Sequence, residues 1–436
     1  MLFPSILLPL LPLVSAGVSQ WPPSSLQTIY NNLGNLAPYH AAPTVPGIQA
    51  DLPDDCTIDQ LMLMGRHGNR FPLSSELPYI QGLVAQLANA SAAIQKARLP
   101  SNLAFLKSGY TTSLGTNDLT APGRQTLFDH GVAFRLKYPA LLGTSILAGA
   151  QDRVIESAQW FANGYFGRAW AGLNATAFST IGENSSTVSW ITAMDDCALW
   201  DYDYGGNATA EWGTVYLPHI TKRLNAAVPG LGLTDDDTHG ALYACAYDLA
   251  AWGTSPWCGA FTEQELASFE YELDLLMDGA FGYGLPGKMG PTIGALFTNS
   301  TGNASSVYLE FGHDTTIDNA LTGLGLAKDV PYLPVRGPIP ASRKWRTSNQ
   351  VPFGAQMIWE RFTCASSAAF PAGQPQIRLV LNEAPFPLAT CAQSRGDRAH
   401  GTCSVANFAK ANAASAAVGY GNAVWNAACA ANATVA

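Results

Sequence analysis

A chain of 436 residues that is 47% hydrophobic has enough apolar mass for one large buried core or two ordinary ones, which excludes a disordered polymer. Its formal net charge of -9 excludes a surface built to coat a polyanion, because nucleic-acid binders carry a basic stripe or patch and none occurs here. An anion bound by this chain has to be gripped locally.

Residues 1–16, MLFPSILLPLLPLVSA, read as a removed signal peptide: a short apolar run ends at Val14-Ser15-Ala16, small residues at cleavage spacing, although a basic start is missing. The run falls short of the roughly 20 apolar residues that a membrane span needs, and Pro4, Pro9 and Pro12 interrupt it. No later segment is long and apolar enough to span, so the mature chain is expected outside the cell or in its wall. Residues 17–55, rich in Pro, Asn and Gly, read as an extended arm. Export agrees with the even cysteine set, Cys56, Cys197, Cys245, Cys258, Cys364, Cys391, Cys403 and Cys429, which contains no CxxC pair and suits disulfides better than zinc or thiol redox chemistry. It also agrees with N-glycosylation sequons at Asn89, Asn174, Asn184, Asn207, Asn299, Asn303 and Asn432.

The compact fold is expected from Cys56. DQLMLMGR reads as a buried strand, and the stretch from Pro72 to Ala97 reads as a helix with Pro72 near its first turn. Strand, tight loop, helix is the order in which a helix N-terminus faces an anion. Thr120 is a candidate N-cap, with Pro122 in the first turn and Leu127, Val132 and Leu136 beyond, so a second helix follows. A short strand in TSILAGA, a loop at Asp152-Arg153 and a helix from about Val154 come next. Residues 171–299 are aromatic and loop-rich with helical pieces and read as a mainly helical insertion. The first pattern then recurs: a strand from Val307 to Phe311, a break at Gly312, and His313-Asp314 opening a helix. QIRLVLNEAPFPL is a late strand, and the Ala-rich tail adds little beyond helix.

The segment RHGNRFP places Arg66, His67 and Arg70 at the end of an apolar strand. A phosphoryl group spreads charge over its equatorial oxygens, which planar guanidinium forks match, and an imidazole in that pocket can attack phosphorus to give a phosphohistidine. The bland alternative is a surface loop with ordinary ion pairs, but buried unpaired charge is rare. His313 could bond a phosphoryl oxygen, and Asp314 could protonate the leaving oxygen. Arg153 alone reads as a loop arginine paired with Asp152. GYGLPGK, Gly282 to Lys288, resembles a P-loop only superficially, since Met289 stands where Ser or Thr should bind magnesium and a helix precedes it. HExxH, GxSxG and metal-spaced His or Cys clusters are all missing from the sequence, and His40, His130, His219, His239 and His400 have no partner pattern.

These residues resemble the histidine acid phosphatases, which include fungal phytases, within the phosphoglycerate-mutase-like superfamily. RHGNRFP looks like that family's RHGxRxP signature and GHDTT like its HD element, with weaker matches over about residues 50–410. The resemblance implies a phosphoglycerate-mutase-like α/β sandwich domain (residues 56–170 and 300–436) carrying the inserted mostly α-helical domain, with the site in the cleft between them. It implies His67 as nucleophile, Asp314 as general acid, and Arg66, Arg70, Arg153 and His313 as phosphate ligands. It also implies disulfides Cys56–Cys364, Cys197–Cys429, Cys245–Cys258 and Cys391–Cys403, among which spacing alone does not choose.

Asn69 and Phe71 depart from the family's phytases, where many carry a small or acidic residue and a tyrosine, and lysines are few. A hexakisphosphate needs several cations beyond a central pocket. The expected activity is therefore a broad acid phosphatase acting on small phosphomonoesters at acidic pH, with a dedicated phytase as the alternative, and with no metal or other cofactor. A phosphoglycerate-type mutase and a secreted phosphate-binding protein without turnover are the rivals from other classes.

Overall fold

The computed structural model describes residues 23–172, 177–184, 187–299, 306–365 and 368–429. Residues 1–16, read as a signal peptide, and the sequons at Asn174, Asn303 and Asn432 lie outside them, and the side chain of Asn299 is likewise not described. Asn89, Asn184 and Asn207 are exposed.

Strands β1 (Cys56–Arg66), β2 (Ser145–Gly149), β3 (Ala177–Ile181), β4 (Val307–Gly312), β5 (Gln356–Cys364), β6 (Gln376–Leu381), β7 (Ala384–Phe386) and β8 (Thr402–Ser404) form one sheet. The order is β3-β2-β4-β1-β5-β6-β7, with β8 on β6. The first four are parallel and the rest antiparallel. Parallel strands are buried on both faces, which is why DQLMLMGR reads as a continuous apolar run. Helices Ala121–Lys137 and Asp152–Phe166 cover one face, packing Leu127, Phe134 and Phe161 on Leu61, Leu63 and Phe311. Helix Asp314–Gly323 covers the other, with Ile317 and Leu321 against Met64, Met357 and Leu379. The α/β sandwich is the architecture expected from the sequence.

A second, larger core is helical. It packs Leu77–Asn89, Asp203–Ala227, Asp235–Trp252 and Glu263–Phe281 through Ile80, Leu83, Trp212, Leu242, Phe269 and Leu273. Local signals start these helices where they should: Thr120 accepts from the Gly123 amide, and Thr234 and Thr262 form reciprocal caps with Asp237 and Glu265.

Several boundaries differ from the sequence reading. The arm is not uniformly extended: Pro23–Tyr30 is helical, Gly34–Leu36 is a 3-10 turn, and Leu33, Leu36 and Ala37 are buried in the helical core. The first long helix starts at Leu77 with Pro78 in its first turn and breaks at Ala90, because Pro72–Glu76 forms turns instead. The insertion contains a strand of the main sheet, β3, while the helical core recruits residues 77–108 before it and Val418, Trp425 and Cys429 after it. Compactness in three dimensions, rather than chain continuity, sets these limits. Disulfides join Cys56–Cys364, Cys197–Cys429, Cys245–Cys258 and Cys391–Cys403.

Helices Ala121–Lys137 and Asp152–Phe166 touch backbone to backbone. A Cβ at Gly131 would lie 2.1 Å from the Phe161 carbonyl oxygen, and one at Gly164 would lie 2.1 Å from that of Phe128. Gly131→Ala and Gly164→Ala are each expected to destabilise the fold by about 1–3 kcal/mol through overpacking, read as a lowered denaturant midpoint at unchanged m-value. Wild-type midpoints in both would show that the helices are not seated this closely.

Candidate active site

Register builds the site. β1 and β4 are parallel neighbours paired Arg66 to Gly312, so the residues following each strand emerge side by side at the carboxyl edge. The His67 amide donates to the Gly312 carbonyl at 3.0 Å, and the His67 and His313 rings lie 5.5 Å apart, edge to face. β2 pairs with β4 and delivers Arg153 in the first turn of Asp152–Phe166. His313 is the N-cap residue of Asp314–Gly323, and Thr316 Oγ1 accepts from its amide. Ligands bind at such carboxyl edges in α/β sheets for this topological reason.

A cavity of about 230 Å³ opens here, and His67, Arg70, Arg153, His313 and Asp314 line it together with Asn35. Arg66 is not on its wall. It is fully buried over the Phe353 ring: Nη1 donates to the carbonyls of Asn35 (2.5 Å) and Val351, Nη2 lies 2.8 Å from Asp314 Oδ2, and Nε has no hydrogen-bond partner. Burial lowers its pKa to about 10, against the opposing pull of Asp314. Arg70 is held by Glu76 (3.2 Å) and the Tyr247 hydroxyl (3.1 Å). Arg153 is lowered by burial and then by the charge of Arg70, and its Nε has no hydrogen-bond partner. The Asp152 pairing expected of a bland loop arginine is not among the ion pairs of the described residues.

The protonation states follow from these surroundings. Burial first, then Arg153, Arg66, His313 and Arg70, hold His67 well below the ordinary histidine range, so its ring is neutral. Its Nδ1 lies 2.9 Å from the Gly68 carbonyl, which can only accept, so Nδ1 carries the hydrogen and the Nε2 lone pair is free. Burial would raise Asp314, but Arg66, the Asn35 amide at 2.9 Å, His313 and Arg70 outweigh it and hold the carboxyl below its usual range. These surroundings favour the ionised form of the Asp314 carboxyl.

Three participants escaped the sequence. Asn35 comes from the arm, where Pro, Asn and Gly gave no periodicity to read. Glu183 follows β3, a strand without a clear alternating pattern, and its Oε2 lies 2.9 Å from His313 Nε2. Tyr247 sits inside a buried helix with no local signature. The P-loop-like stretch links two helices, with the Tyr283 and Gly284 amides closing onto Asp278. Of the histidines set aside, His239 pairs with Glu272 at 2.8 Å in the helical core and His130 is buried. Among the described residues, one grouping is close enough to hold a metal, Asp55 with Cys56 and Cys364, and its sulfurs are spent in a disulfide.

Residues 57–382 match the model of the histidine phosphatase superfamily (branch 2). An acid phosphatase of Schizosaccharomyces pombe is 30% identical over 396 residues, covering 85% of this chain and 84% of its own. A phytase of Candida albicans is 29% identical over 391 residues, covering 84% and 81%. The crystal structure of the phytase from D. castellii superposes with a TM-score of 0.78 at 26% identity, covering 93% of this chain and 88% of that one.

One turn beyond Asp314, Asp318 is fully buried with neither carboxyl oxygen hydrogen-bonded. Burial and the nearby Asp314, Asp274 and Asp278, against Arg66 alone, push it well above the carboxylate range. The folded state thus keeps a proton that the unfolded chain releases above about pH 4, so this group costs stability as pH rises. Asp318→Asn is expected to flatten the fall of Tm between about pH 4 and pH 7 relative to the parent. Parallel curves would mean that Asp318 ionises freely in the fold.

Proposed function

The chain belongs to the histidine phosphatase superfamily (branch 2), and we propose that it cleaves small phosphomonoesters through a phosphohistidine at His67, with broad specificity. Its relatives over most of its length are acid phosphatases and phytases, so it is a phosphoric monoester hydrolase of the histidine acid phosphatase kind. The observation that carries the mechanism is the β1–β4 register, which sets a neutral imidazole and an ionised carboxylate beside one cation-lined cavity.

The substrate's phosphoryl oxygens meet Arg70, Arg153 and His313, while Arg66 adds its charge from behind Asp314. The His67 Nε2 lone pair attacks phosphorus in line with the ester oxygen, forming a P–N bond as the P–O bond breaks. At acidic pH the monoester is a monoanion, since its second ionisation falls near about pH 6. We derive the proton for the leaving alcohol from that monoanion, relayed by Asp314, which suits a carboxyl held below its usual range. Water then attacks the phosphohistidine as the P–N bond breaks, and Asp314 takes the water's proton and passes it to the departing phosphate, which leaves as the monoanion with His67 neutral and Asp314 ionised again.

Among the described residues, those lining the cavity include no lysine, which supports a broad phosphatase over a dedicated phytase. Four disulfides support an extracellular protein, and a secreted or wall-bound enzyme is the finer proposal. No described helix is long and apolar enough to cross a membrane.

The purified protein should release phosphate from p-nitrophenyl phosphate with EDTA present, with the alkaline limb of kcat/KM falling near about pH 6 as the substrate loses its proton. His67→Ala should abolish release, and Asp314→Asn should lower kcat about 10²- to 10⁴-fold while phosphate still binds. No release, or release surviving His67→Ala, would overturn the mechanism; phytate turned over as efficiently as the aryl ester would replace the broad reading with the phytase one.

A further inference from the structure

We propose that Glu183 is a positioning residue: its buried carboxylate fixes the His313 ring so that the imidazole is held in the phosphate clamp. This rests on the phosphatase reading above.

The fold goes out of its way to make this contact. β2 lies between β3 and β4 in the sheet, so a side chain following β3 must cross the end of β2 to reach the residue following β4. Gly149, the last residue of β2, clears that path: a Cβ there would stand 1.8 Å from Glu183 Oε1. Any side chain at position 149 would fill the corridor. The Glu183 carboxylate then meets His313 Nε2 at 2.9 Å, with the two side chains 3% and 6% exposed.

Burial decides the ionic character. Glu183 Oε1 has no hydrogen-bond partner, so His313 is the group hydrogen-bonded to this carboxylate in the described structure. A carboxylate taken from water with so few partners is tolerated when a cation compensates it, and a carboxylate oxygen accepting from Nε2 fixes a proton on that nitrogen. Other groups surround the pair. From β1 and its loop come His67, Arg66 and Arg70; from Asp152–Phe166 comes Arg153; from the turn before Cys197 comes Asp195; from its own helix comes Asp314. The Glu183 carboxylate offsets the cations of this set and supports the charge of Arg153.

Glu183 does not line the cavity, so it acts through His313 and not on substrate. The prediction is a defect in binding: a ring without its anchor grips phosphate less well, while the reacting atoms are untouched.

The test measures kcat, KM and competitive inhibition by inorganic phosphate at one acidic pH in the wild type, Glu183→Gln, Glu183→Asp and Gly149→Ala, with Tm as a check on folding. The expected result for Glu183→Gln is phosphate inhibition and kcat/KM weakened about tenfold, the change carried by KM. Glu183→Asp should recover part of the loss, and Gly149→Ala, which displaces the carboxylate without removing it, should share the rise in KM. A loss carried by kcat at unchanged KM, a tighter phosphate constant in Glu183→Gln, or wild-type kinetics in it would overturn the proposal. Wild-type protein that releases no phosphate would fail the underlying mechanism instead.

Discussion

A guanidinium with no exposed surface, Arg66, is the constraint around which the molecule is organised. Leaving such a charge unpaired in a protein interior costs about 3–5 kcal/mol, so its partners must come from wherever the chain can supply them. They come from three places far apart in sequence: the Asn35 carbonyl in the N-terminal arm, the Val351 carbonyl before β5, and Asp314 on the helix after β4. The arm is therefore not an appendage. It closes the base of the cavity, seats Leu33 and Leu36 in the helical core, and presents the Asn35 amide to Asp314. A charge that the chemistry needs has become the tie between the two cores.

The same field sorts the protons. Cations clustered at the carboxyl edge drive the proton off His67 and off Asp314 alike, giving a free lone pair where phosphorus must be attacked and an ionised carboxylate beside it. With His67 neutral and Asp314 ionised, neither reacting side chain holds a proton for the leaving group, which makes the ionisation state of the substrate part of the mechanism. Acidity is then a demand of the monoester, and not the titration of a side chain.

RHGNRFP and GHDTT were legible in the sequence because their function depends on residues adjacent in the chain: charge at the end of an apolar strand is conspicuous, and a turn with Gly68 or a helix opening at Asp314 has local rules. The β1 and β4 strands, the Thr120 cap and the helix of Glu263–Phe281 were legible for the same reason. What could not be read depends on partners distant in sequence. Asn35 looks like any loop asparagine until Asp314, 279 residues later, is beside it. β5 is buried and pairs antiparallel to β1, so MIWERFTC has no alternating face to mark it. Glu183 and Gly149 have meaning only once β3, β2 and β4 are laid side by side.

The sheet order explains why such distant residues meet at all. β1, β4 and β2 are central neighbours joined by long crossovers, and each ends at the same edge. Each crossover is free to carry helices into the second core, so residues 77–108 and 203–281 build that core, and its helix Glu263–Phe281 reaches the cavity while the strand ends remain fixed. Chemistry is placed on the rigid element, where register allows little error. Leu273, Leu276, Met277 and Phe281, all from one helix, line the same cavity as the strand-end residues. On the proposed phosphatase reading, changes on that helix would alter the leaving group accepted without moving a strand end.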